Sequence, residues 1–428
     1  MPILEKRTYL VSCWVGSGQI LYSNLLSEPM EFAKAHTAPT VYLAPMVDGS
    51  ELAFRSLCRK YGISTCYTPM LRAKQIIELL TISDLDSVLP QPQPRIIPGD
   101  RPLIVQLCGR EPANLAAAAK ALLTHYDGEF DGIDLNLGCP QEIACKEGIG
   151  AFLAEDQALT CECVAALAEA VAGSGIPISC KIRLVTPSKK EKEDNMNITT
   201  ISATVAFAHR LVSAGCSLLA CHCRERTAKH NGLPDLAAGA ALVQALMPIP
   251  VIINGGIRTL EDVQRTLRLT KAHGVMIAQG LLQNHRLLQE KEMASVQVQL
   301  LAAEYLDYCE KFLPPSPYYI RKHLRHIFRG QLQGPSPNAE KKWKRQWQRE
   351  QWRNKLWHLI SRSHLTSIWQ FRQMIHLYCI FSNLPTHEIP ESIRVLAYPT
   401  FKSIRYRKGK RGNGKLRKDV EYHYQHLN

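Results

Sequence analysis

The sequence lacks several features that mark membrane, secreted and metal-binding proteins. No apolar run approaches the roughly 18 residues of a transmembrane helix, so we expect no membrane span. Its 14 cysteines include no Cys-X-X-Cys pair, and many lie within apolar runs, as is typical of reduced, buried thiols. Cys221 and Cys223 flank His222, but this spacing matches no common zinc site, and we expect no bound metal. Residues 1–30 show no clear secretion signal, which favours a cytoplasmic or nuclear protein.

The chain also lacks a Gly-X-Gly-X-X-Gly segment after its first apolar run, which argues against a dinucleotide-binding, doubly wound sheet. It has instead eight short, nearly continuous apolar runs, which are typical of strands buried on both faces, separated by segments with helical periodicity. The runs are Val41–Pro45, Ser64–Thr68, Leu103–Leu107, Gly132–Asn136, Ile178–Ile182, Ser217–His222, Val251–Asn254 and Gly274–Ala278. Eight β/α units in about 240 residues predict an α/β protein with a (β/α)8 TIM barrel over residues 39–290. An open doubly wound sheet is the structural alternative.

Acidic residues are scarce in the last quarter of the chain, and basic residues are concentrated there. Residues from Arg321 onward hold 23 of the 52 lysines and arginines but only 6 of the 38 acidic residues. The net charge of +14 therefore arises entirely from the C-terminal region. A charge asymmetry of this kind indicates a polyanionic partner, most often a nucleic acid.

The sequence on either side of the barrel predicts three further parts. Residues 1–38 form an N-terminal extension, residues 295–375 predict a smaller helical domain, and residues 376–428 form a basic tail that we expect to lack stable structure. Five of the six tryptophans lie in the basic stretch 341–369, at Trp343, Trp347, Trp352, Trp357 and Trp369. They predict either a helix that packs its tryptophans on the domain or an RNA-facing helix whose rings stack on bases, and both interpretations stay open.

The most informative segment is Asn136–Gln141, which reads Asn-Leu-Gly-Cys-Pro-Gln and ends the fourth apolar run. Loops at the carboxyl ends of parallel strands build active sites in α/β proteins, and Cys139 lies in such a loop. By itself, Cys139 could be a nucleophile, a ligand or a structural residue. Lys181, in the fifth run, is a second candidate, because a buried lysine is costly unless an anion or an electron-rich ring pairs with it.

Together with Gly148–Ala151 (Gly-Ile-Gly-Ala) downstream, the segment Asn136–Gln141 resembles the active-site loop of the tRNA-dihydrouridine synthases. Three other segments, Ala44–Asp48, Cys66–Leu71 and Arg101–Gln106, resemble most closely the eukaryotic subfamily that modifies positions 16 and 17 of the D-loop. The resemblance covers roughly residues 40–330, and its strength lies in the order and spacing of the segments along the eight units.

The resemblance implies a flavoprotein with FMN as cofactor, NADPH or NADH as reductant and tRNA as substrate. We expect the protein to be a monomer. The residues implied for FMN binding are Pro45, Met46, Val47, Gln106, Lys181, His222, Asn254, Gly255, Gly256, Ala278 and Gln279. Those implied for the substrate are Asn136, Arg183 and Arg224. The chain departs from the family at Cys223, which usually is glycine, and at Gln279, which is arginine in many members, so the FMN phosphate is expected to rely more on backbone amides.

In the reaction that the resemblance implies, NADPH reduces FMN, the flavin delivers hydride to C6 of uridine, and Cys139 protonates C5 as general acid. That role requires a neutral thiol rather than a thiolate. The helical domain and the basic tail would hold the tRNA. Two alternatives remain open: another FMN-dependent barrel oxidoreductase that acts on a small substrate such as dihydroorotate, and a non-catalytic RNA-binding protein.

Overall fold

The structure is a computed structural model, and it describes residues 40–80, 95–187, 193, 196–229, 231–289, 298–329 and 367–381, with the short strand pair Trp14–Val15 and Gly18–Gln19. The rest of the N-terminal extension, the segment that holds Trp343, Trp347, Trp352 and Trp357, and the tail from residue 382 lie outside the described residues. Neither interpretation of the tryptophan-rich segment is therefore tested.

Eight parallel strands form a closed barrel in the described part of the chain. Each strand pairs with the next one along the chain, and the eighth pairs with the first, so that Val275 lies beside Val41. The strands are β1 Thr40–Leu43, β2 Thr65–Tyr67, β3 Leu103–Cys108, β4 Gly132–Leu137, β5 Ile178–Leu184, β6 Cys216–Glu225, β7 Val251–Asn254 and β8 Gly274–Ile277. The predicted (β/α)8 barrel is confirmed, and closure excludes the open sheet. A short strand, Leu71–Arg72, pairs beside β3.

Helices cover the outside of the barrel, as the helical periodicity between the apolar runs predicts. The helices, in chain order, are α1 Leu52–Lys60, α2 Ala73–Leu80, α3 Pro112–Tyr126, α4 Glu142–Glu147, α5 Gln157–Ala170, α6 Thr200–Ser213, α7 Leu236–Leu246, α8 Leu260–Thr270 and α9 Gln279–Gln283, with a 3-10 helix at Gly150–Glu155. The short helices α4 and α9 lie at the carboxyl ends of β4 and β8 and not on the outside of the barrel. The side chains of the strands alternate between this helical layer and the barrel interior. Large apolar side chains such as Tyr42, Ile104 and Met276 fill the interior, so the barrel is a packed core.

Three further helices follow the barrel in the described residues: α10 Val298–Lys311, α11 Pro317–Ile327 and α12 Ile368–Phe381. The last of them continues past residue 375, where the sequence predicted the domain boundary. Arg372 of α12 pairs with Asp307 and Glu310 of α10, at N–O distances of 2.7 and 2.9 Å. None of the described helices is long and apolar enough to cross a membrane.

A buried polar cluster joins these helices to the barrel. Glu51, directly before α1, is almost fully buried and accepts a hydrogen bond from the Tyr305 hydroxyl at 2.9 Å. Nε2 of His323, on α11, lies 3.0 Å from the other carboxylate oxygen of Glu51. The ring of His323 packs between Phe54 and Tyr305, at centroid distances of 4.4 and 4.3 Å. The helices therefore contact the barrel through interior groups and not only through surface groups.

Candidate active site

The carboxyl ends of the strands open into a cleft of about 1120 Å³, at the upper end of the range typical of ligand pockets. Every site residue predicted from the sequence lines it. They are Pro45, Met46 and Val47 after β1; Gln106 in β3; Asn136 in β4 and Cys139 after it; Lys181 and Arg183 in β5; His222 and Arg224 in β6; Asn254 in β7, with Gly255 and Gly256 after it; and Ala278 and Gln279 after β8. Barrel closure brings these seven segments together; their individual roles stay predictions.

Cys139 lies partly buried on a tight turn after β4. The side-chain oxygen of Asn136 accepts hydrogen bonds from the backbone N–H groups of Gly138 and Cys139, at 3.1 and 3.0 Å. On the other side, the backbone N–H of Ala151 donates to the Cys139 carbonyl at 3.1 Å. Gly150 has a φ of +63°, and a Cβ there would lie 2.9 Å from Cys139 Cβ. The turn is thus held from both sides and requires glycine at position 150.

Below the cysteine turn, polar side chains of adjacent strands form a buried chain of hydrogen bonds. Asn136 Nδ2 donates to Gln106 Oε1 at 2.8 Å, and Gln106 Nε2 donates to Asp134 Oδ2 at 2.7 Å. Ser179 donates to the other oxygen of Asp134, also at 2.7 Å. Burial raises the pKa of Asp134 to about 6, although the hydrogen bonds from Gln106 and Ser179 oppose this rise. No local sequence motif marks Asp134 or Ser179 as part of the site. Strand alternation, which places Asp134 on the same face as Asn136, is the signal that points to Asp134.

Four cations follow one another across β5, β6 and the loop after β7. Lys181 Nζ donates to Asn254 Oδ1 at 3.2 Å, and burial, aided by Arg183, lowers its pKa to about 8. Burial and Arg224 lower the pKa of Arg183 to about 10. Burial also lowers the pKa of Arg224, and Arg258 adds to that effect. Each cation therefore disfavours the charge of its neighbour, which makes this side of the cleft a site for anions.

Arg183 and Arg224 also hold the loops around the cleft. Arg183 donates from Nε to the Gly138 carbonyl at 2.8 Å and from Nη1 to the Lys229 carbonyl at 2.7 Å, so it links the cysteine turn to the loop after β6. Arg224 Nη1 lies 2.8 Å from His222 Nε2. Because a guanidinium only donates, Nε2 of His222 accepts this bond and carries no proton.

The side chain of Cys223, which stands where the family usually has glycine, points away from the cleft. Alternation along β6 places His222 in the cleft and puts Cys221 and Cys223 in the outer core, against the helices. A Cβ built on Gly239 of α7 would lie only 3.0 Å from Cys223 Sγ. A glycine in the helix therefore makes room for the thiol that replaces the usual strand glycine. Among the described residues, no group of three His, Cys, Asp or Glu side chains is arranged to hold a metal.

The backbone after β7 requires glycine at two consecutive positions at the mouth of the cleft. Gly255 and Gly256 have φ angles of +121° and +74°. A Cβ on Gly255 would lie 3.0 Å from His222 Cδ2, and one on Gly256 would lie 3.0 Å from the Pro234 ring. Side chains here would be both strained and crowded, so both positions require glycine. The backbone without side chains lies where (β/α)8 proteins bind phosphate, after strands 7 and 8.

Several further residues, none of them singled out as a site residue from the sequence, also line the cleft. They are Met70, Lys146, Arg258, Arg265, Lys322 and His326. Lys322, on α11, donates to the Val47 carbonyl at 2.8 Å and lies 3.3 Å from Asp48 Oδ2. This contact joins residues 275 positions apart, so no local pattern could indicate it. It brings the first helices after the barrel to the rim of the cleft.

Barrel closure, a cysteine turn after β4 and an anion-attracting cleft place the chain among (β/α)8 proteins with a functional site at the carboxyl face. A sequence profile of the family "Dihydrouridine synthase (Dus)" matches residues 42–363. The chain belongs to this family, which confirms the resemblance seen in the sequence.

Individual relatives agree with the family assignment. A rat protein named "tRNA-dihydrouridine(16/17) synthase [NAD(P)(+)]-like" is 38% identical over 295 residues, which are 68% of this chain and 60% of the relative. The Schizosaccharomyces pombe tRNA-dihydrouridine(16/17) synthase is 31% identical over 299 residues, 68% of this chain and 69% of its own length. A human protein named "tRNA-dihydrouridine(20a/20b) synthase [NAD(P)+]-like" is 34% identical over 241 residues, 56% of this chain and 68% of the relative. This chain thus spans about 60% of the length of the rat relative.

Proposed function

We propose that this chain reduces the C5–C6 double bond of uridine in tRNA, as an FMN-dependent tRNA-dihydrouridine synthase that uses NAD(P)H. The observation that carries the proposal is the convergence, in one cleft, of Cys139 on its braced turn with a row of cations and a bare glycine backbone. The names of the rat and Schizosaccharomyces pombe relatives support positions 16 and 17 of the D-loop and a nicotinamide nucleotide as reductant.

The cleft fits FMN, which combines a flat ring with a single phosphate. The Gly255–Gly256 backbone and Arg258 would hold the phosphate, and Lys181 would lie against the ring edge that gathers negative charge on reduction. Among the described residues, no carboxylate forms an ion pair with Lys181; the charge of Asp134 favours its ammonium from a greater distance, but burial still lowers the pKa of Lys181, so an anionic ligand would stabilise it further. When bound, FMN would supply the hydride chemistry.

The chain's own residues would bind the uridine and supply a proton. The Sγ–H of Cys139 would protonate C5 as hydride reaches C6, and Asn136 and Arg183 would keep the cysteine turn in place during this step. Arg224, at the mouth of the cleft, would contact the phosphate of the target nucleotide. The uridine must leave its stack to reach the cleft, at a cost of a few kcal/mol.

The residues after the barrel would hold the rest of the tRNA. Lys322 and His326 already line the cleft from α11, and most of the excess positive charge of the chain follows that helix. Phosphate contacts from this region would make tRNA binding weaken steeply with salt, because each contact releases counterions. This would give the described helices, and the basic sequence after them, a shared role in substrate binding.

The variant Cys139→Ala tests the proposal directly. We expect it to keep bound FMN and to be reduced by NADPH at the wild-type rate, but to form dihydrouridine at least about 100-fold more slowly, because the general acid is lost. Cys145→Ala, an exposed thiol on α4, is the matched control and should keep full activity. Product is measured by mapping dihydrouridine in tRNA, which also shows which position is modified.

Three observations, one on the Cys139→Ala variant and two on the wild-type protein, would overturn the proposal. One is full dihydrouridine synthesis by Cys139→Ala. Another is turnover of a small pyrimidine, such as orotate or dihydroorotate, by the wild-type protein without tRNA, which would indicate a small-molecule oxidoreductase. The third is wild-type protein that binds tRNA but never acquires the visible absorption of a flavin, which would indicate a non-catalytic RNA-binding protein.

A further inference from the structure

The hydrogen-bond chain below the cysteine turn ends at a carboxylate that has no contact with solvent. Asp134 is fully buried, and its two oxygens accept from Ser179 and from Gln106. Gln106 and Ser179 are its register neighbours on β3 and β5, so the three side chains form one layer across the barrel. An ionised carboxylate can only accept hydrogen bonds, so Gln106 must turn its NH2 group towards Asp134.

The orientation of Gln106 then dictates the orientation of the next amide. With its nitrogen committed to Asp134, Gln106 presents its oxygen to Asn136 Nδ2, at 2.8 Å. Asn136 in turn presents its oxygen to the backbone N–H groups of Gly138 and Cys139. The chain therefore begins at N–H groups that can only donate and ends at a carboxylate that only accepts. The N–H groups hold this direction at the Asn136 end and the carboxylate holds it at the Gln106 end, so an amide in place of the carboxylate would leave it held from one end only.

We propose that Asp134 is a positioning residue whose acceptor-only carboxylate fixes the orientation of the Gln106 amide in the cleft and, through Asn136, the backbone of the Cys139 turn. The proposal rests on the proposed function, since it assigns Gln106 to flavin and Cys139 to the uridine. Space filling alone does not account for an aspartate here, because asparagine has the same shape and costs less to bury. Asparagine lacks only the property that sets the direction, which is the absence of a donor.

The test compares Asp134→Asn with Ser179→Ala, a matched control that removes the other hydrogen bond to the same carboxylate and leaves the chain to Cys139 intact. Two quantities are measured: the Kd for FMN, and the rate at which iodoacetamide alkylates Cys139, resolved by mass spectrometry with exposed Cys145 as internal reference. For Asp134→Asn we expect an FMN Kd about 5-fold higher and Cys139 alkylation about 5-fold faster, each the effect of one misdirected hydrogen bond. For Ser179→Ala, the FMN Kd and the Cys139 alkylation rate should both stay within about 2-fold of wild type, since the Gln106 and Asn136 amides keep their direction.

A double variant separates direction from simple loss of structure. In Asp134→Asn with Gln106→Glu, the carboxylate moves one position along the chain, where it accepts from the introduced amide at position 134 on one side and from Asn136 on the other. We expect Cys139 alkylation to return to within about 2-fold of wild type, while FMN affinity stays low because the Gln106 amide is gone. A role in stability alone would give no such recovery.

The proposal is overturned if Cys139 is alkylated at the same rate in Asp134→Asn and in Ser179→Ala. It is also overturned if the double variant folds but its Cys139 is not alkylated at the wild-type rate. If Asp134→Asn does not fold, the double variant decides alone: recovery supports the proposal, and a second failure to fold contradicts it. Alkylation requires neither flavin nor tRNA. A wild-type protein that proved inactive in dihydrouridine synthesis would therefore leave this test intact and would refute only the proposed function.

Discussion

At the scale of single residues, Lys181 carries the clearest electrostatic signature of the cleft. It is a lysine on a barrel strand whose ammonium donates to an amide oxygen, and burial with help from Arg183 lowers its pKa to about 8. An anionic ligand stabilises the ammonium and raises that pKa again. Binding of such a ligand therefore takes up a proton between a pH of about 8 and the higher pKa of the bound state, and below about 8 the ammonium form already predominates.

We accordingly predict that the affinity for FMN is nearly constant up to a pH of about 8 and falls above it, by at most 10-fold per pH unit. Fluorescence titration of the apoprotein with FMN across this range measures the effect. Lys181→Arg is the control, because a guanidinium keeps its proton and should flatten the profile. Identical profiles for the wild type and Lys181→Arg would show that Lys181 does not carry the pH dependence.

The sequence predicted individual residues of the site where local signals are strong, and missed those that act through partners. Cys139 and Lys181 were predicted because a cysteine turn and a lysine at the end of an apolar run are unusual in themselves. Asp134 and Ser179 were not, because their importance depends on register: Gln106, Asp134 and Ser179 become neighbours only when β3, β4 and β5 align. Register is a property of the assembled sheet.

At the scale of elements, the loop between β7 and α8 brings a positive charge close to the glutamine at position 279. Gln279 begins α9, and a Cβ built on the following Gly280 would lie 3.2 Å from Arg258 Cα. Arg258 therefore lies next to the position at which many family members carry arginine. It is exposed at the mouth of the cleft, beside the bare backbone of Gly255 and Gly256. We propose that Arg258 supplies the positive charge that arginine at position 279 supplies in those members.

This arrangement predicts that Arg258→Ala weakens FMN binding by about 10-fold or more, the value of one hydrogen bond to a charged group. Riboflavin, which has the same ring but no phosphate, should bind the variant as well as the wild type. Arg268→Ala, at an exposed arginine on α8, the helix that follows this loop, should alter neither affinity. If riboflavin and FMN lose affinity equally, Arg258 acts on the ring or on the fold and not on the phosphate.

The strands themselves were predicted to within a few residues. Each is an apolar run buried on both faces, and in a barrel surrounded by helices that pattern is sufficient. The largest difference is β6, predicted as Ser217–His222 and observed as Cys216–Glu225. It continues past the apolar run because Glu225 pairs with Leu184 of β5, so a neighbouring strand, and not the local sequence, sets its end.

At the scale of the whole molecule, stability depends on the buried polar contact of Glu51 with Tyr305 and His323, which joins the barrel to the helices that follow it. Burial alone would raise the pKa of Glu51, but His323 and the hydrogen bonds to the carboxylate hold it below its usual value. Glu51 therefore stabilises the folded state above the pKa of the unfolded chain, and this contribution is lost as the pH falls through the folded-state pKa.

Tyr305→Phe tests this contact by removing the hydrogen bond from the Tyr305 hydroxyl to the buried carboxylate of Glu51. We expect the free energy of unfolding to fall by about 1–3 kcal/mol, because one oxygen of Glu51 loses its partner in a site closed to water. Urea denaturation provides the measurement. Tyr308→Phe on the same helix, where the ring packs on Phe312, is the control and should change stability far less. Equal losses in the two variants would show that the hydrogen bond from Tyr305 to Glu51 contributes no more to stability than the hydroxyl of Tyr308 does.

The sequence by itself determined the order of the eight β/α units and the placement of the cysteine turn, Lys181 and the glycine pair at the carboxyl ends of their strands. These follow from local patterns, because apolar runs form strands wherever both faces are covered. Only the tertiary structure decided the direction of the amide chain from Asp134 to Cys139, the space that Gly239 leaves for Cys223, and the contact of Lys322 with Val47. The orientation of an amide and the room for a thiol are set by the groups opposite them, and barrel closure brings those groups together from distant parts of the chain.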